Sequence, residues 1–304
     1  MYSKILVSLD GSKTAENVLP FARCFARSSQ IPVELMAVVD VPEMTHNVLA
    51  AEGLSRDTLI EHEAKTLRNY LERIGKNFPV GTVQCTVKKG KAAEVIIEST
   101  SGDKETLIAM ATHGRSGIGR FFLGSIAEKV LRAASNPLLL VRATEETPPL
   151  WDMPALRSII VPLDGSELAE SVMPHVQELA KKLALEVTLL GVYGVPYGAS
   201  SAGEGLYDGT RMDALIGRLR AETLGYLEEK AEALKSKGFD KVSFIAKEGL
   251  PADEIISTAR RTPDNLIAMC THGRTGVTRW MMGSVTETVV RHSGDPVLVV
   301  RAPI

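Results

Sequence analysis

The sequence predicts two tandem α/β domains, each with a five-stranded, mainly parallel sheet that has helices on both faces. Two observations predict this fold. One half of the sequence repeats the other, and within each half short apolar runs alternate with longer amphipathic stretches. Regular alternation of strands and helices is typical of βαβ units, in which the strands are parallel and the crossover helices cover the sheet.

The repeat rests on two pairs of matching segments. Val7–Ser12 (VSLDGS) recurs as Val161–Ser166 (VPLDGS), 154 residues later. Leu107–Arg142 recurs as Leu266–Arg301, 159 residues later, and these 36-residue segments are identical at 19 positions. A repeat of about half the chain is far longer than the roughly 20–50 residues of a solenoid unit, which indicates a duplicated domain.

A proline-containing linker is expected between the two copies. Thr144–Pro154 has three prolines among polar residues, and such a segment sustains neither a helix nor a β-ladder. We therefore expect the first domain at residues 1–146, the linker at 147–156 and the second domain at 157–304.

Each half contains five short apolar or β-branched runs that predict strands. In chain order they are Ile5–Leu9, Val33–Val39, Thr82–Val87, Leu107–Ala111 and Leu138–Val141, then Ile159–Leu163, Glu186–Val192, Lys241–Ala246, Leu266–Cys270 and Val297–Val300. Apolar residues at helical spacing predict the helices Asp57–Asn77, Ala92–Thr100, Ser125–Ala134, Met212–Lys237, Pro251–Arg260 and Ser284–His292. A further helix is expected after each Asp-Gly-Ser turn, with Ser12 or Ser166 as its N-cap.

Composition and charge argue against several classes of partner. The 304 residues are 44% apolar and 24% charged with a net charge of −2, which indicates a globular protein with neither nucleic acid nor membrane as its main partner. The N-terminal apolar run meets Asp10 too early for a signal peptide or a membrane span, so we expect a cytoplasmic protein. Cys24, Cys85 and Cys270 have no metal-binding spacing and predict neither a disulfide framework nor a zinc site.

Ligands of an open parallel sheet bind beyond the carboxyl ends of the strands, where the strand order reverses. This rule selects equivalent strand ends in the two halves: Asp10, Val39 and residues 111–114, with Asp164, Val192 and residues 270–273. Aspartate also favours tight turns. Asp10 and Asp164 therefore have both a ligand-binding interpretation and a purely turn-forming one.

The segments Met110–Ser125 and Met269–Ser284 are typical of an anion site. Each leaves a predicted strand, passes through glycines and arginines, and enters a helix at Gly-Ser. Glycines let a ligand approach the backbone, and a helix N-terminus offers unpaired N–H groups to a phosphate. The arginines that add positive charge are Arg115, Arg120, Arg274 and Arg279. Both helices begin with S-x-x-E, at Ser125 and Ser284, which predicts a capping box with the serine as N-cap.

The glycines of these segments have the same spacing in both copies. The residues that follow it are Gly114, Gly124 and Ser125, then Gly273, Gly283 and Ser284. Three positions before the first glycine of each set stands a small residue, Ala111 or Cys270. The spacing resembles the G-x2-G-x9-G-[ST] pattern of ATP-binding universal stress proteins, with its first glycine replaced. The resemblance extends over nearly the whole of both halves.

The resemblance implies two Rossmann-like (adenine nucleotide α-hydrolase-like) domains that bind ATP or AMP. Mg²⁺ would be present only with the nucleotide, and no metal would be held by the protein alone. Asp10 and Asp164 would approach the ribose or adenine edge, the backbone at Val39 and Val192 would face the adenine, and the amides of the glycine segment would hold the phosphates. The implied nucleotide-binding residues are Asp10, Val39, Met110, Ala111, His113, Gly114, Arg115, Gly124, Ser125, Ile126, Asp164, Val192, Met269, Cys270, His272, Gly273, Arg274, Gly283, Ser284 and Val285.

The resemblance also implies pairing between the two last strands, because the family pairs subunits through that strand. The two halves would then form an internal pseudo-dimer, and a further homodimer is an open alternative. We expect a nucleotide-binding stress-response or regulatory protein that acts on an unidentified signalling protein, with at most slow ATP hydrolysis.

No catalytic residue is expected. His113 and His272 have no accompanying nucleophile, so loop hydrogen bonds are their expected role. Cys270 is expected to be a small buried residue, with a redox role as the alternative. Two other functions stay open: a nucleotide-free dimerising scaffold, in which Ala111 and Cys270 close the pocket, and an α-hydrolase-type enzyme. The S-G-G-x-D-S loop of such an enzyme is absent after the first strand.

Overall fold

The computed structural model describes residues 2–40, 56–78, 81–112, 123–142, 154–194, 209–271 and 283–302. The strands are β1 Lys4–Ser8, β2 Val33–Val39, β3 Val83–Lys89, β4 Thr106–Ala111, β5 Leu138–Val141, β6 Ser158–Pro162, β7 Glu186–Tyr193, β8 Val242–Glu248, β9 Asn265–Thr271 and β10 Val297–Arg301. The helices are α1 Leu19–Ser29, α2 Arg56–Gly75, α3 Ala92–Thr100, α4 Ser125–Ala133, α5 Glu167–Glu170, α6 Met173–Leu183, α7 Gly209–Lys235, α8 Pro251–Arg261 and α9 Ser284–His292. Every element predicted with bounds is confirmed to within about three residues at either end.

The first compact unit contains β1 to β5 with their helices, and also β10. Its sheet has the order β3-β2-β1-β4-β5, and all neighbours in this series are parallel. β10 lies antiparallel beside β5, with Leu298 opposite Leu139. The predicted parallel sheet and the predicted pairing of the two last strands are both confirmed.

The central strands of this unit are buried on both faces. In β1 the side chains of Ile5, Leu6 and Val7 are fully buried, as are Leu107 and Ile108 in β4. Continuous apolar strands are typical of parallel sheets that helices cover on both sides. Charged groups are therefore confined to the ends of these strands.

The second compact unit contains β6 to β9 with their helices. Its sheet has the order β9-β6-β7-β8, again with parallel neighbours. Gly191 in β7 lets the long helix α7 lie close to the sheet, because a Cβ there would be 2.5 Å from Thr223 Cγ2 and 3.0 Å from Leu227 Cδ1. The strand order reverses between β1 and β4 in the first unit and between β6 and β9 in the second, which is where ligands of such sheets bind.

The helix that follows the first strand starts differently in the two halves. Ser166 is the N-cap of α5, as predicted, and its Oγ accepts the N–H of Ala169 at 3.1 Å. In the first half a 3-10 helix over Ala15–Val18 precedes α1, and its N-cap is Thr14. Ser12 Oγ accepts the first N–H of that helix at 3.1 Å, but it is not the cap residue. The prediction is wrong there because the 3-10 helix has its cap residue two positions later, at Thr14.

The expected linker at 147–156 lies largely outside the described residues, so its bounds and those of the two domains stay predictions. Within the described ranges, no helix has an apolar stretch long enough to cross a membrane.

The packing of α7 on its sheet generates a stability prediction. Leu227 is fully buried, whereas Leu215 on the same helix is 42% exposed. We expect Leu227→Ala to lower the free energy of unfolding by about 2–5 kcal/mol, because it leaves a cavity in the core. The control Leu215→Ala is expected to change it by less than about 0.5 kcal/mol. Urea unfolding followed by circular dichroism measures both, and equal losses would contradict the packing described.

Candidate functional site

The Asp-Gly-Ser turn has the same hydrogen bonds in both halves. Asp10 Oδ1 accepts the backbone N–H of Ser12 at 2.9 Å and its hydroxyl at 2.6 Å. Asp164 Oδ1 accepts the N–H of Ser166 at 3.0 Å and its hydroxyl at 2.6 Å. Both aspartates therefore hold the turn, each through one carboxylate oxygen, and their ligand-binding role stays a prediction.

The backbone conformation of the turn requires the glycine between the aspartate and the serine. Gly11 has φ 83° and Gly165 has φ 85°, a left-handed conformation that residues with a Cβ rarely adopt. The turn places the aspartate just beyond the carboxyl end of β1 or β6. Asp10 is half-buried there, whereas Asp164 is exposed.

In β2 and β7, which lie beside the two turns, the carbonyl of the last residue already accepts a backbone hydrogen bond. Gly90 donates its N–H to Val39 O at 3.1 Å, and Gly249 donates to Tyr193 O at 3.0 Å. The structural counterpart of Val39 is thus Tyr193, whereas the sequence prediction paired Val39 with Val192. The difference of one residue matters because successive residues of a strand point to opposite faces. Nothing in the sequence of β7 marked its last residue.

Backbone hydrogen bonds join the end of β4 to the end of β5 and to the start of α4. Thr112 donates its N–H to Val141 O at 2.8 Å, and Gly124 donates to Thr112 O at 2.7 Å. Thr112 and Gly124, which lie on either side of residues 113–122, are therefore directly hydrogen-bonded to each other. Ala111, which ends β4, is 7% exposed, and Met110 before it is 5% exposed.

Cys270 stands where Ala111 stands in the first half. Its Sγ lies 2.9 Å from Ser171 Oγ, and either atom can donate the hydrogen bond. Burial raises the pKa of the thiol, against a smaller opposite effect of the Ser171 hydroxyl. A thiol held protonated in this way is a poor nucleophile. Cys270 is half-buried rather than buried as expected, but its contact with Ser171 favours the packing interpretation over the redox one.

The last residue of β9 is a buried threonine. Thr271 is 2% exposed, and its buried Oγ1 has no hydrogen-bond partner among the described residues. Buried hydroxyls are usually satisfied. An unsatisfied hydroxyl at the carboxyl edge of the sheet fits a position that a polar ligand or water completes.

The starts of α4 and α9 differ from the predicted capping boxes. Gly124 and Gly283 are the N-caps, and no side chain of the described residues caps either helix. Ser125 and Ser284 are the first helical residues, because Glu128 N–H bonds Gly124 O at 2.9 Å and so makes the first helical hydrogen bond.

The glutamates of the predicted boxes have another role. Glu128 pairs with Arg132 at 3.0 Å, and Glu287 pairs with Arg291 at 2.8 Å, each one helical turn later. The capping-box prediction was wrong because S-x-x-E also arises when the glutamate belongs to an i,i+4 ion pair. Both helices consequently present a first turn whose N–H groups, including those of Ile126 and Val285, are capped by no side chain within the described ranges.

Six implied site residues lie outside the described residues: His113, Gly114, Arg115, His272, Gly273 and Arg274. The other fourteen lie at the carboxyl edges of the two sheets or at the starts of the helices that follow. In each half these residues come from adjacent elements: the turn after β1 or β6, the end of β4 or β9, and the start of α4 or α9. Across the described part of the chain, no group of three or more His, Cys, Asp and Glu side chains is arranged to hold a metal.

Comparison with known proteins gives a consistent result. The model of the Universal stress protein family matches residues 1–142 and 155–301. A universal stress protein of Mycolicibacterium smegmatis is 24% identical over 309 residues, which cover 98% of this chain and 96% of that protein. Universal stress protein MJ0531 of Methanocaldococcus jannaschii is 31% identical over 147 residues, or 48% of this chain and 83% of that protein.

A solved structure shows the same fold over the whole chain. The crystal structure of a universal stress protein from Archaeoglobus fulgidus superposes with a TM-score of 0.69 at 18% identity and covers 99% of both chains. The predicted fold class, two tandem Rossmann-like domains, is confirmed.

The left-handed turn generates a prediction about backbone strain. A Cβ at Gly165 would meet no atom within 4 Å, so Gly165→Ala tests the conformation alone. We expect it to lower the free energy of unfolding by about 1–2 kcal/mol. The control is Gly217→Ala in α7, where a Cβ also meets nothing within 4 Å. That change is expected to stabilise the protein by up to about 1 kcal/mol, because alanine favours a helix. Urea unfolding of both variants checks the opposite signs, and a shared sign would disprove the strained turn.

Proposed function

We propose that this chain, which belongs to the universal stress protein family, binds an adenine nucleotide, ATP or AMP, in each half and acts as a stress-response or regulatory protein. One observation carries the proposal. In both halves an aspartate turn and a helix start that no described side chain caps follow adjacent strands, at the point where the strand order reverses.

The two parts of this arrangement suit the two ends of a nucleotide. Asp10 and Asp164 supply carboxylate acceptors, which suit the hydroxyls of a ribose. The first turns of α4 and α9 supply N–H donors and the positive end of a helix dipole, which suit phosphates. The hydroxyl of Thr271, which has no partner among the residues that the structure describes, adds a polar group at the same edge of the second sheet.

The replacement of the first motif glycine is compatible with this proposal. Ala111 is buried, and the larger Cys270 side chain contacts Ser171. Each substitute therefore has a packing position within its own domain. In the alternative function, a nucleotide-free dimerising scaffold, the same two side chains close the pocket.

We expect little or no catalysis. The sequence has no P-loop motif, and it supplies no general base paired with a nucleophile. Mg²⁺ would accompany a triphosphate, held mainly by phosphate oxygens and water. On this proposal the bound nucleotide is a signal, and its occupancy is passed to a partner protein through the surface.

The proposal predicts one nucleotide site in each half. Gly124 has φ −57° and Gly283 has φ −58°, so valine is allowed by the backbone at both positions and places a branched side chain at the helix start. In calorimetric titration with ATP and with AMP, we expect Gly124→Val to remove one site, Gly283→Val the other, and the double variant both. Gly217→Val, at an exposed glycine of α7, is the control and is expected to bind like the wild type.

The same purified protein, denatured and analysed by chromatography, would identify any nucleotide that it carries from the cell. No released nucleotide and no binding heat at millimolar concentration would reject the proposal in favour of the scaffold.

A further inference from the structure

In each half a tyrosine of the long helix faces a glutamate that follows the Asp-Gly-Ser turn. Glu16 and Glu170 both stand six residues after the aspartate of their turn. Tyr70 of α2 lies against Glu16, and Tyr226 of α7 lies against Glu170. The arrangement recurs although the surrounding helices have different sequences, and the nucleotide-binding residues assigned above do not include it.

In the second half this contact is a set of defined bonds. Tyr226 Oη donates to Glu170 Oε1 at 2.9 Å, and Lys230 Nζ pairs with Glu170 Oε2 at 3.0 Å. The ammonium of Lys230 also lies 5.4 Å from the centre of the Tyr226 ring. Burial, and then the Glu170 carboxylate, raise the pKa of Tyr226, so the phenol stays protonated and keeps donating at neutral pH.

These bonds continue to the candidate nucleotide site. Glu170 is the last residue of α5, a single helical turn. Ser166 caps the other end of that turn, and Asp164 Oδ1 holds the backbone N–H and the hydroxyl of Ser166. A short, hydrogen-bonded segment therefore connects the side chain of Tyr226 to the carboxylate of Asp164.

The first half has the same tyrosine and glutamate, but their contact differs from that of Tyr226 with Glu170. Tyr70 Oη is buried but makes no hydrogen bond of normal geometry within the described residues. Burial, then the charge of the Glu16 carboxylate and a hydrogen bond to it that falls outside normal geometry, and then Asp10 raise the pKa of Tyr70. Ile74 occupies the position of Lys230, four residues after the tyrosine. Glu16 is 1% exposed and its carboxylate lies 3.4 Å from Lys13 Nζ at the surface.

We propose that Tyr226 is a positioning residue of the second nucleotide site: through Glu170 and α5 it orients Asp164 and couples nucleotide binding to α7. This inference rests on the proposed function. The first site lacks the coupling because, in the part of the chain that the structure describes, the Tyr70 hydroxyl makes no hydrogen bond of normal geometry to its turn. Since binding and conformation are linked reciprocally, occupancy of the second site in turn stabilises α7, and a partner that contacts α7 senses that site alone.

The binding experiment isolates the second site in the Gly124→Val background. Tyr226→Phe is expected to weaken ATP binding about fivefold, the effect of one hydrogen bond. It is expected to leave the binding of inorganic tripolyphosphate unchanged, because that ligand has no nucleoside for Asp164 to contact. Glu170→Gln keeps an acceptor for Tyr226 and is expected to lose less affinity than Tyr226→Phe.

The matched control is Tyr70→Phe in the Gly283→Val background, which isolates the first site. It is expected to leave ATP affinity almost unchanged, because the hydroxyl that it removes makes no hydrogen bond of normal geometry within the described residues. Equal weakening of tripolyphosphate and ATP by Tyr226→Phe would show general loosening of the domain and would overturn the positioning role. An equal effect of Tyr70→Phe on the first site would overturn the asymmetry.

A second measurement does not need a nucleotide. Hydrogen exchange of the unliganded protein reports on the N–H groups of Ser166 and Ala169, which the proposed connection protects. Tyr226→Phe is expected to speed their exchange by about fivefold, and Tyr70→Phe is expected to leave Ser12 and Ala15 unchanged. If the wild type binds no nucleotide but exchange responds in this way, the proposed function fails and the connection stands. Unchanged exchange in Tyr226→Phe would refute the connection itself.

Discussion

The burial of β1 and β6 on both faces is the constraint on which the rest of the structure depends. Each strand is apolar along its middle and lies between two parallel neighbours, so it has no solvent-facing side that could take a charge. Its polar residues are confined to its ends. A carboxylate placed there needs hydrogen-bond donors at once, and the Asp-Gly-Ser turn supplies them from the backbone and a hydroxyl. The candidate site is thus a consequence of the way the sheet is buried.

Much of the fold followed from the sequence because its signals were redundant. Each strand was marked by an apolar run, and each run had a counterpart in the other half. The starts of α4 and α9 were misjudged because the S-x-x-E spacing fits two kinds of contact, and only the backbone shows that the glutamates pair with arginines. The counterpart of Val39 was misjudged because β7 extends to Tyr193, and an apolar run does not define its own last residue.

The tyrosine–glutamate contacts were missed for a different reason. A tyrosine in an amphipathic helix is usually part of the core, and Tyr70 and Tyr226 fit that pattern. The signal that could have found them was the equal spacing from Asp10 to Glu16 and from Asp164 to Glu170. Spacing alone could not show that the two copies differ. That difference depends on where the tyrosine hydroxyl lies relative to the glutamate carboxylate, which the packing of the long helix decides.

The placement of β10 in the first compact unit has a consequence for the order in which the protein assembles on the ribosome. Leu139 of β5 meets Leu298 of β10, and Arg301 donates to the carbonyl oxygens of Leu131, at 2.8 Å, and Arg132 at the end of α4. These partners are made only after nearly all of the second half has been synthesised. Until then the nascent first domain exposes an unpaired, apolar strand edge, the kind of surface that invites aggregation. The first domain therefore depends on β10, a strand from the second copy. Contacts of such long sequence separation form slowly.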